Sequence, residues 1–384
     1  MTPPPPRKAP MHFEHHMLKE IKEQPAVLAA LAGRAGRLLE KDGCRLFGFG
    51  DDVLAGVRRL MFLACGSSGH ACLAGKWMIE SLAGLPCQVE PSHEFRMAKP
   101  LPLDGCLAVG LSQSGETLDT LEAMRKAKQA GAQLLSVCNV ADSSAVRLAH
   151  ASFLLEAGPE KAIASTKVVS AQLGAVFLLA LRLGMVRGRL GVHEVKKHLQ
   201  QLEALPDKLS QVLEKDSFAK EAARALHKAA HVLVVGKGLA HAIALEGALK
   251  LKETCYVHAE GLAGGEFRHG PMALVEPGVA TVLLAPSFPE ESFELMRGTA
   301  HEVLERGGPL WVLAQKPLEA LEAAGARVHV LPETDALGAP FVLLGPLQML
   351  AYTLATQRGL NVDSPRGLTK AVVADPCLTQ KTPE

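Results

Sequence analysis

The sequence predicts an α/β protein built from two tandem parallel-sheet lobes. Short apolar runs bounded by Gly or Ser alternate with helix-period segments, the order in which a parallel sheet and its crossover helices are written. That order occurs twice, at an offset near 170–176 residues. The length, 384 residues, exceeds the roughly 100–150 of a single domain.

Residues 1–10, MTPPPPRKAP, are a Pro-rich leader with no apolar stretch of the signal-peptide kind, and disorder is expected there. Met17, Ile21, Leu28 and Leu31 fall at helical spacings within 13–39, and Pro25 is expected to break or restart that helix. Residues 60–65 read as a strand, Gly66-Ser67-Ser68-Gly69 as a turn and 71–83 as a helix. Strands at 107–111 and 134–138 flank a helix at 117–130. The longest apolar stretch, 171–181, falls short of the ~20 residues that span a bilayer and reads as a buried core helix.

In the second half, Leu233-Val234-Val235-Gly236 answers Met61-Phe62-Leu63-Ala64, and Glu266-Phe267-Arg268 answers Glu94-Phe95-Arg96. The strand–loop–helix at 281–287 answers that at 108–114, and both following helices end in Gly, at Gly131 and Gly307. Four landmarks in register argue for domain duplication. The expected division is leader and first helix 1–45, first lobe 46–190, helical linker 191–225, second lobe 226–362 and tail 363–384.

Composition narrows the function. Hydrophobic residues make up 48% and charged residues 21%, with a formal net charge of +1 and no concentration of Lys and Arg. Nucleic acid and anionic membrane are therefore not expected partners. Cys44, Cys65, Cys72, Cys87, Cys106, Cys138, Cys255 and Cys377 are scattered without a C-x-x-C pair. They read as small hydrophobes in a reducing, cytoplasmic compartment, and no metal site is expected.

Several segments could carry chemistry. Ser112-Gln113-Ser114-Gly115-Glu116-Thr117 lies where a strand's carboxyl end meets a helix, the usual ligand position in open α/β sheets. Free N–H groups at a helix start and three hydroxyls suit an anion held as an anchor. Equally, Ser114 or Thr117 could simply cap the helix. Ser67 and Ser68 occupy the equivalent turn one strand earlier. Glu246, Lys250 and Glu253 stand at i, i+4 and i+7 and so share one helical face. That face is either a solvated ion-pair surface or a buried one whose shifted pKa values suit proton transfer. His269, followed by Gly270-Pro271, is a lone loop histidine, structural or titrating near neutrality. The tail around Asp363-Ser364-Pro365-Arg366 and Lys370 reads as a loop with an exposed lysine.

Together these segments resemble the isomerase half of glucosamine-6-phosphate synthases and the related stand-alone deaminases, both built from sugar-isomerase (SIS) domains. The resemblance rests on His16 through Pro25, residues 112–117, Ala164-Ser165-Thr166-Lys167, 244–253, His258-Ala259-Glu260, 266–271 and 363–370, and it covers nearly all of 12–373. It implies two tandem SIS domains, each a parallel sheet flanked by helices in a flavodoxin-like sandwich, and a homodimer with a shared site. It also implies that Ser112, Gln113, Ser114 and Thr117 grip a sugar phosphate, with Ser67, Ser68, Ala164 and Ser165 beside it. Glu253 is then the base moving a proton between C1 and C2, and His269, from a neighbouring subunit, assists ring opening. Lys370 lies on the ketose C2, and Lys250 and Glu246 complete the proton network. No cofactor is called for.

Two departures shape the expectation. The synthases carry an N-terminal glutaminase domain, whereas about ten Pro-rich residues precede the matching region here. Glutamine is thus not expected as this chain's own nitrogen source, and a separate glutaminase is a candidate partner. Residues 375–384 follow the tail motif and are expected either to disturb its packing or to be disordered. The leading expectation is an isomerising deaminase of glucosamine 6-phosphate. The alternatives are ammonia-dependent synthesis, action on another amino sugar phosphate, and a non-catalytic sugar-phosphate sensor.

Overall fold

Among the described residues, ten strands form two five-stranded sheets in which every pairing is parallel. The computed structural model describes residues 13–40, 46–99 and 101–373. The leader, Cys44, Cys377 and the segment 375–384 lie outside the described residues.

The first sheet contains β1 (Arg59–Ala64), β2 (Cys87–Pro91), β3 (Cys106–Ser112), β4 (Gln133–Cys138) and β5 (Ala151–Leu154), in the order β2-β1-β3-β4-β5. The second contains β6 (His231–Gly236), β7 (His258–Ala263), β8 (Ala280–Ala285), β9 (Leu310–Ala314) and β10 (Arg327–Val330), in the order β7-β6-β8-β9-β10. Both are one topology, 2-1-3-4-5, so the internal repeat is a repeat of folded lobes. Central strands β3 and β8 are buried along their whole length, as unbroken apolar runs in a two-face-covered sheet must be. In this strand order the direction in which strands are added to the sheet reverses between the first and third strands of each lobe. Ligands bind at the carboxyl ends there.

Two helices form the apolar centre. Lys167–Val186 and Ala339–Gln357 have the length and composition to cross a membrane, which corrects the shorter estimate drawn from 171–181. Yet 94% and 83% of their apolar windows are buried inside the protein, so both are core helices. The helix His16–Ala35 packs beside them and continues through Pro25, contrary to expectation. A proline inside a helix orphans the carbonyl four residues earlier. Here that carbonyl belongs to Ile21, and the buried Gln24 amide donates to it at 2.9 Å. Gln24 also donates to Gln348 at 2.8 Å, so the repair links two core helices.

One turn before, Glu20 is almost fully buried, and its carboxylate accepts the N–H groups of Lys161 and Ala162. Burial pushes this carboxyl from 4.5 up to about 7, against the pull of the Lys161 N–H. Because the folded value lies above the unfolded one, the protonated group favours the fold. That contribution is complete below pH ~4.5 and is lost as pH rises through ~7. Glu20→Gln is therefore expected to match the wild type at pH 5 and to exceed it at pH 8, by about 1–3 kcal/mol in urea unfolding. Parallel stability curves for the two proteins across that range would contradict this.

Candidate active site

The segment 112–117 leaves the carboxyl end of β3, beside that of β1, at the reversal point of the first sheet. Its conformation is held from within. The Ser112 hydroxyl accepts the Gly115 N–H and lies 3.1 Å from the Thr117 hydroxyl, and the Ser114 hydroxyl accepts the Glu116 N–H. Gly115 has φ +68°, and a Cβ there would lie 2.2 Å from the Ser143 hydroxyl, so glycine is required. Glu116 accepts the Ser144 N–H at 2.7 Å, which holds its carboxyl below the usual range. Neither Ser114 nor Thr117 caps the helix Leu118–Gln129 through its side chain. Contrary to the expectation of free N–H groups there, the first amide of that helix donates to the Val372 carbonyl of the tail at 3.0 Å.

Ser67 and Ser68 lie in the first turn of a helix that starts at Gly66, five residues earlier than expected (Gly66–Ala83). Lys250 donates to the Ser67 hydroxyl at 3.0 Å and Gln172 to that of Ser68 at 2.9 Å.

The helix Leu239–Cys255 brings the charged face in from the second lobe. Glu246 and Lys250 are both 0% exposed, which excludes the solvated reading. The Lys250 ammonium lies 3.2 Å from Glu246 and 2.5 Å from Glu253. Burial alone would lower the Lys250 pKa, but the two carboxylates outweigh it and raise it above the usual lysine range. Burial likewise drives Glu246 up, and Lys250 and His70 reverse that, holding it below the carboxylate range. The pair is thus driven apart in pKa, away from neutrality. Lys250 is a fixed cation, and the group it presents to the cavity is the Glu253 carboxylate, one-fifth exposed.

The tail closes the third side. Asp363 accepts the N–H groups of His16 and Met17 at 2.9 and 2.8 Å, capping the first helix. Arg366 stacks on Tyr256 at 4.1 Å. These anchors lead to Lys370, which donates to Glu160 at 2.7 Å and to the Ala162 carbonyl at 2.6 Å, so it is not the free exposed lysine of the bland reading.

A cavity of about 160 Å³ is lined by Ser67, Ser68, Ser112, Gln113, Ser114 and Thr117, with Ser165, Glu253 and Lys370 opposite them. It is smaller than the ~300–1,000 Å³ of a drug-sized site and matches a compact polar ligand. Glu246 and Lys250 stand behind Glu253 without lining it. Ala164 is fully buried and does not line it, and His269, on an exposed segment, is not brought to it within this chain. Sequence reasoning missed Glu160, His70 and Gln172. The Gly66-Ser67-Ser68-Gly69 turn reading hid the helical spacing that sets His70 one turn after Ser67, whereas Glu160 sits in irregular chain with no periodic signal.

A family model described as the SIS domain matches residues 53–182 and 225–358. The isomerizing glutamine–fructose-6-phosphate aminotransferase of Pseudomonas putida is 42% identical over 369 residues, covering 94% of this chain and 59% of that protein. This chain therefore spans about three-fifths of the length of the curated relatives it matches. The C-terminal domain of glucosamine-fructose-6-phosphate aminotransferase from Francisella tularensis superposes with a TM-score of 0.85 at 32% identity, covering 92% of this chain and 98% of that one. Glucosamine-6-phosphate deaminase from Thermotoga maritima shares the fold, with a TM-score of 0.69 at 21% identity over 93% of this chain and 99% of that one.

Lys250→Met strips the buried Glu246 and the partly exposed Glu253 of their counterion. A loss of about 3–5 kcal/mol is expected in chemical denaturation. An unchanged midpoint would show that the charges are not buried together.

Proposed function

The chain belongs to the SIS domain family, and from that premise we propose that it interconverts glucosamine 6-phosphate with fructose 6-phosphate and ammonia. The observation that carries the reading is the meeting, in one small cavity, of the serine-rich loop 112–117 with Glu253 from the other lobe and Lys370 from the tail. Ser112, Ser114 and Thr117 supply hydroxyl donors for the phosphate, and Gln113 and Ser68 flank it. With the phosphate fixed, an extended open-chain hexose directs its C1–C2 end across the cavity. Glu253 is the group suited to carry a proton between those carbons on one face of the enediol or enolamine. Lys250 keeps that carboxylate company as a permanent cation, and the Lys370 amine serves the oxygen or nitrogen at C2. In the deaminating direction one water is taken up and one ammonia leaves, with no change in oxidation state overall, so the chemistry calls for no redox cofactor.

Ring opening is assigned to His269 of a second copy, so a homodimer with a shared site belongs to the same proposal. The six unpaired cysteines among the described residues fit residence in the reducing cytoplasm. A second reading, amination of fructose 6-phosphate with ammonia from a separate glutaminase, is favoured by the 42% identity to an aminotransferase.

The two directions are assayed in two mixtures, one of glucosamine 6-phosphate and one of fructose 6-phosphate with ammonia. Purified protein with glucosamine 6-phosphate is expected to release ammonia and fructose 6-phosphate in equal amounts. Formation of glucosamine 6-phosphate only, from the reverse mixture, would favour the second reading, and no turnover in either direction would reject both. Glu253→Gln is expected to lower kcat by about 10²–10⁴-fold while sugar-phosphate binding by calorimetry persists. A variant of undiminished rate would remove Glu253 from the mechanism.

A further inference from the structure

Ser67 and His70 stand three residues apart on one face of the helix Gly66–Ala83, in the first lobe. Glu246 and Lys250 stand four apart on one face of the helix Leu239–Cys255, in the second. The two faces meet in register. Lys250 donates to the Ser67 hydroxyl at 3.0 Å, and His70 Nδ1 lies 2.7 Å from Glu246. We propose that His70 is a positioning residue of the acid–base site: it fixes the buried Glu246 carboxylate, which fixes Lys250, which in turn orients both Glu253 and the Ser67 hydroxyl.

The protonation pattern follows from the partners. Glu246 is fully buried against the Lys250 ammonium and is an acceptor only. The hydrogen bond therefore requires the proton on His70 Nδ1, which defines the tautomer or the charged ring. Glu246 Oε1 faces Lys250 and Oε2 faces His70, and the Ser67 hydroxyl is a further hydrogen-bond partner of this carboxylate. Without His70, Oε2 would lose its 2.7 Å partner in a buried setting, and the carboxylate would be free to rotate toward Lys250. That rotation draws the ammonium away from Glu253 and Ser67. Lys250 donates to the Ser67 oxygen, and the Ser67 hydroxyl is also a hydrogen-bond partner of the Glu246 carboxylate, so Ser67 is held within the cluster. The contacts at Ser67 and His70 are thus a two-point clamp. They tie the helix that carries Ser67 and Ser68 to the helix that carries Glu253.

This inference rests on the proposed reaction for its kinetic consequence, though not for the clamp itself. His70→Phe removes the donor and keeps a flat ring. His70→Asn returns a donor near the position of Nδ1. Expected is a fall in kcat of about 10–100-fold for His70→Phe with KM within about twofold, and recovery of most of kcat in His70→Asn. A His70→Phe enzyme of wild-type kcat, an Asn variant no better than Phe, or a loss confined to KM would overturn the positioning role. An activity-free readout separates this from the reaction. In urea unfolding of His70→Phe, Glu246→Leu and the double variant, the midpoint shifts are expected to be non-additive, the double variant losing less than the two singles together. Additive shifts would overturn the clamp. A wild type inert toward both substrates would remove the proposed reaction and leave the clamp to stand or fall on the unfolding cycle.

Discussion

The Lys250 ammonium, wholly buried between two carboxylates and a hydroxyl, is the constraint on which the arrangement of the lobes depends. A lone cation at that depth is costly, and three partners from two lobes offset the cost only if the helices Gly66–Ala83 and Leu239–Cys255 lie in one register. Hydrophobic burial alone would tolerate sliding of one helix over the other. The contacts from the charged face do not, because a shift of one residue would break the hydrogen bonds Lys250–Ser67 and His70–Glu246 that cross between the helices. The site is therefore built at a lobe interface whose geometry is set by its own electrostatics.

Around that point the remaining pieces are supplied by different levels of the fold. The strand order 2-1-3-4-5 opens a crevice at the carboxyl ends of β1 and β3, which places the serine loop. The loop holds its own shape through Ser112, Ser114 and Gly115, so its hydroxyls are presented without reorganisation. The tail is drawn in by Asp363 at the start of the first helix and by Arg366 on Tyr256, and it delivers Lys370 to Glu160. Glu160 in turn accepts the Thr166 and Val168 N–H groups at the start of the helix Lys167–Val186, so the lysine rests on a rigid core element.

What could be read in advance was what depends on local periodicity or repetition. The alternation of strands and helices, the duplicated lobes and the shared face of Glu246, Lys250 and Glu253 are all sequence-local patterns. Contacts between elements were not legible. His70 meets Glu246 across 176 residues and Lys370 meets Glu160 across 210, and no spacing rule encodes such pairs. Pro25 was misjudged for a related reason. The penalty of a helical proline is local, but its relief by Gln24 requires the tertiary position of Gln348 as well. The helix Lys167–Val186 was underestimated because Lys167 and Arg182 interrupt its apolar run, and both charges are satisfied by distant partners, Glu23 and Asp51.

The central claim is that one cavity holds a phosphate at its serine loop and a hexose carbonyl end beside Glu253. A crystal structure of the protein soaked with fructose 6-phosphate measures this directly. The account requires the phosphate oxygens within hydrogen-bond distance of Ser112, Ser114 and Thr117, with C1 or C2 about 3–3.5 Å from the Glu253 carboxylate. A sugar phosphate bound at the second lobe's strand ends, or bound at the loop with its carbonyl end turned away from Glu253, would contradict it.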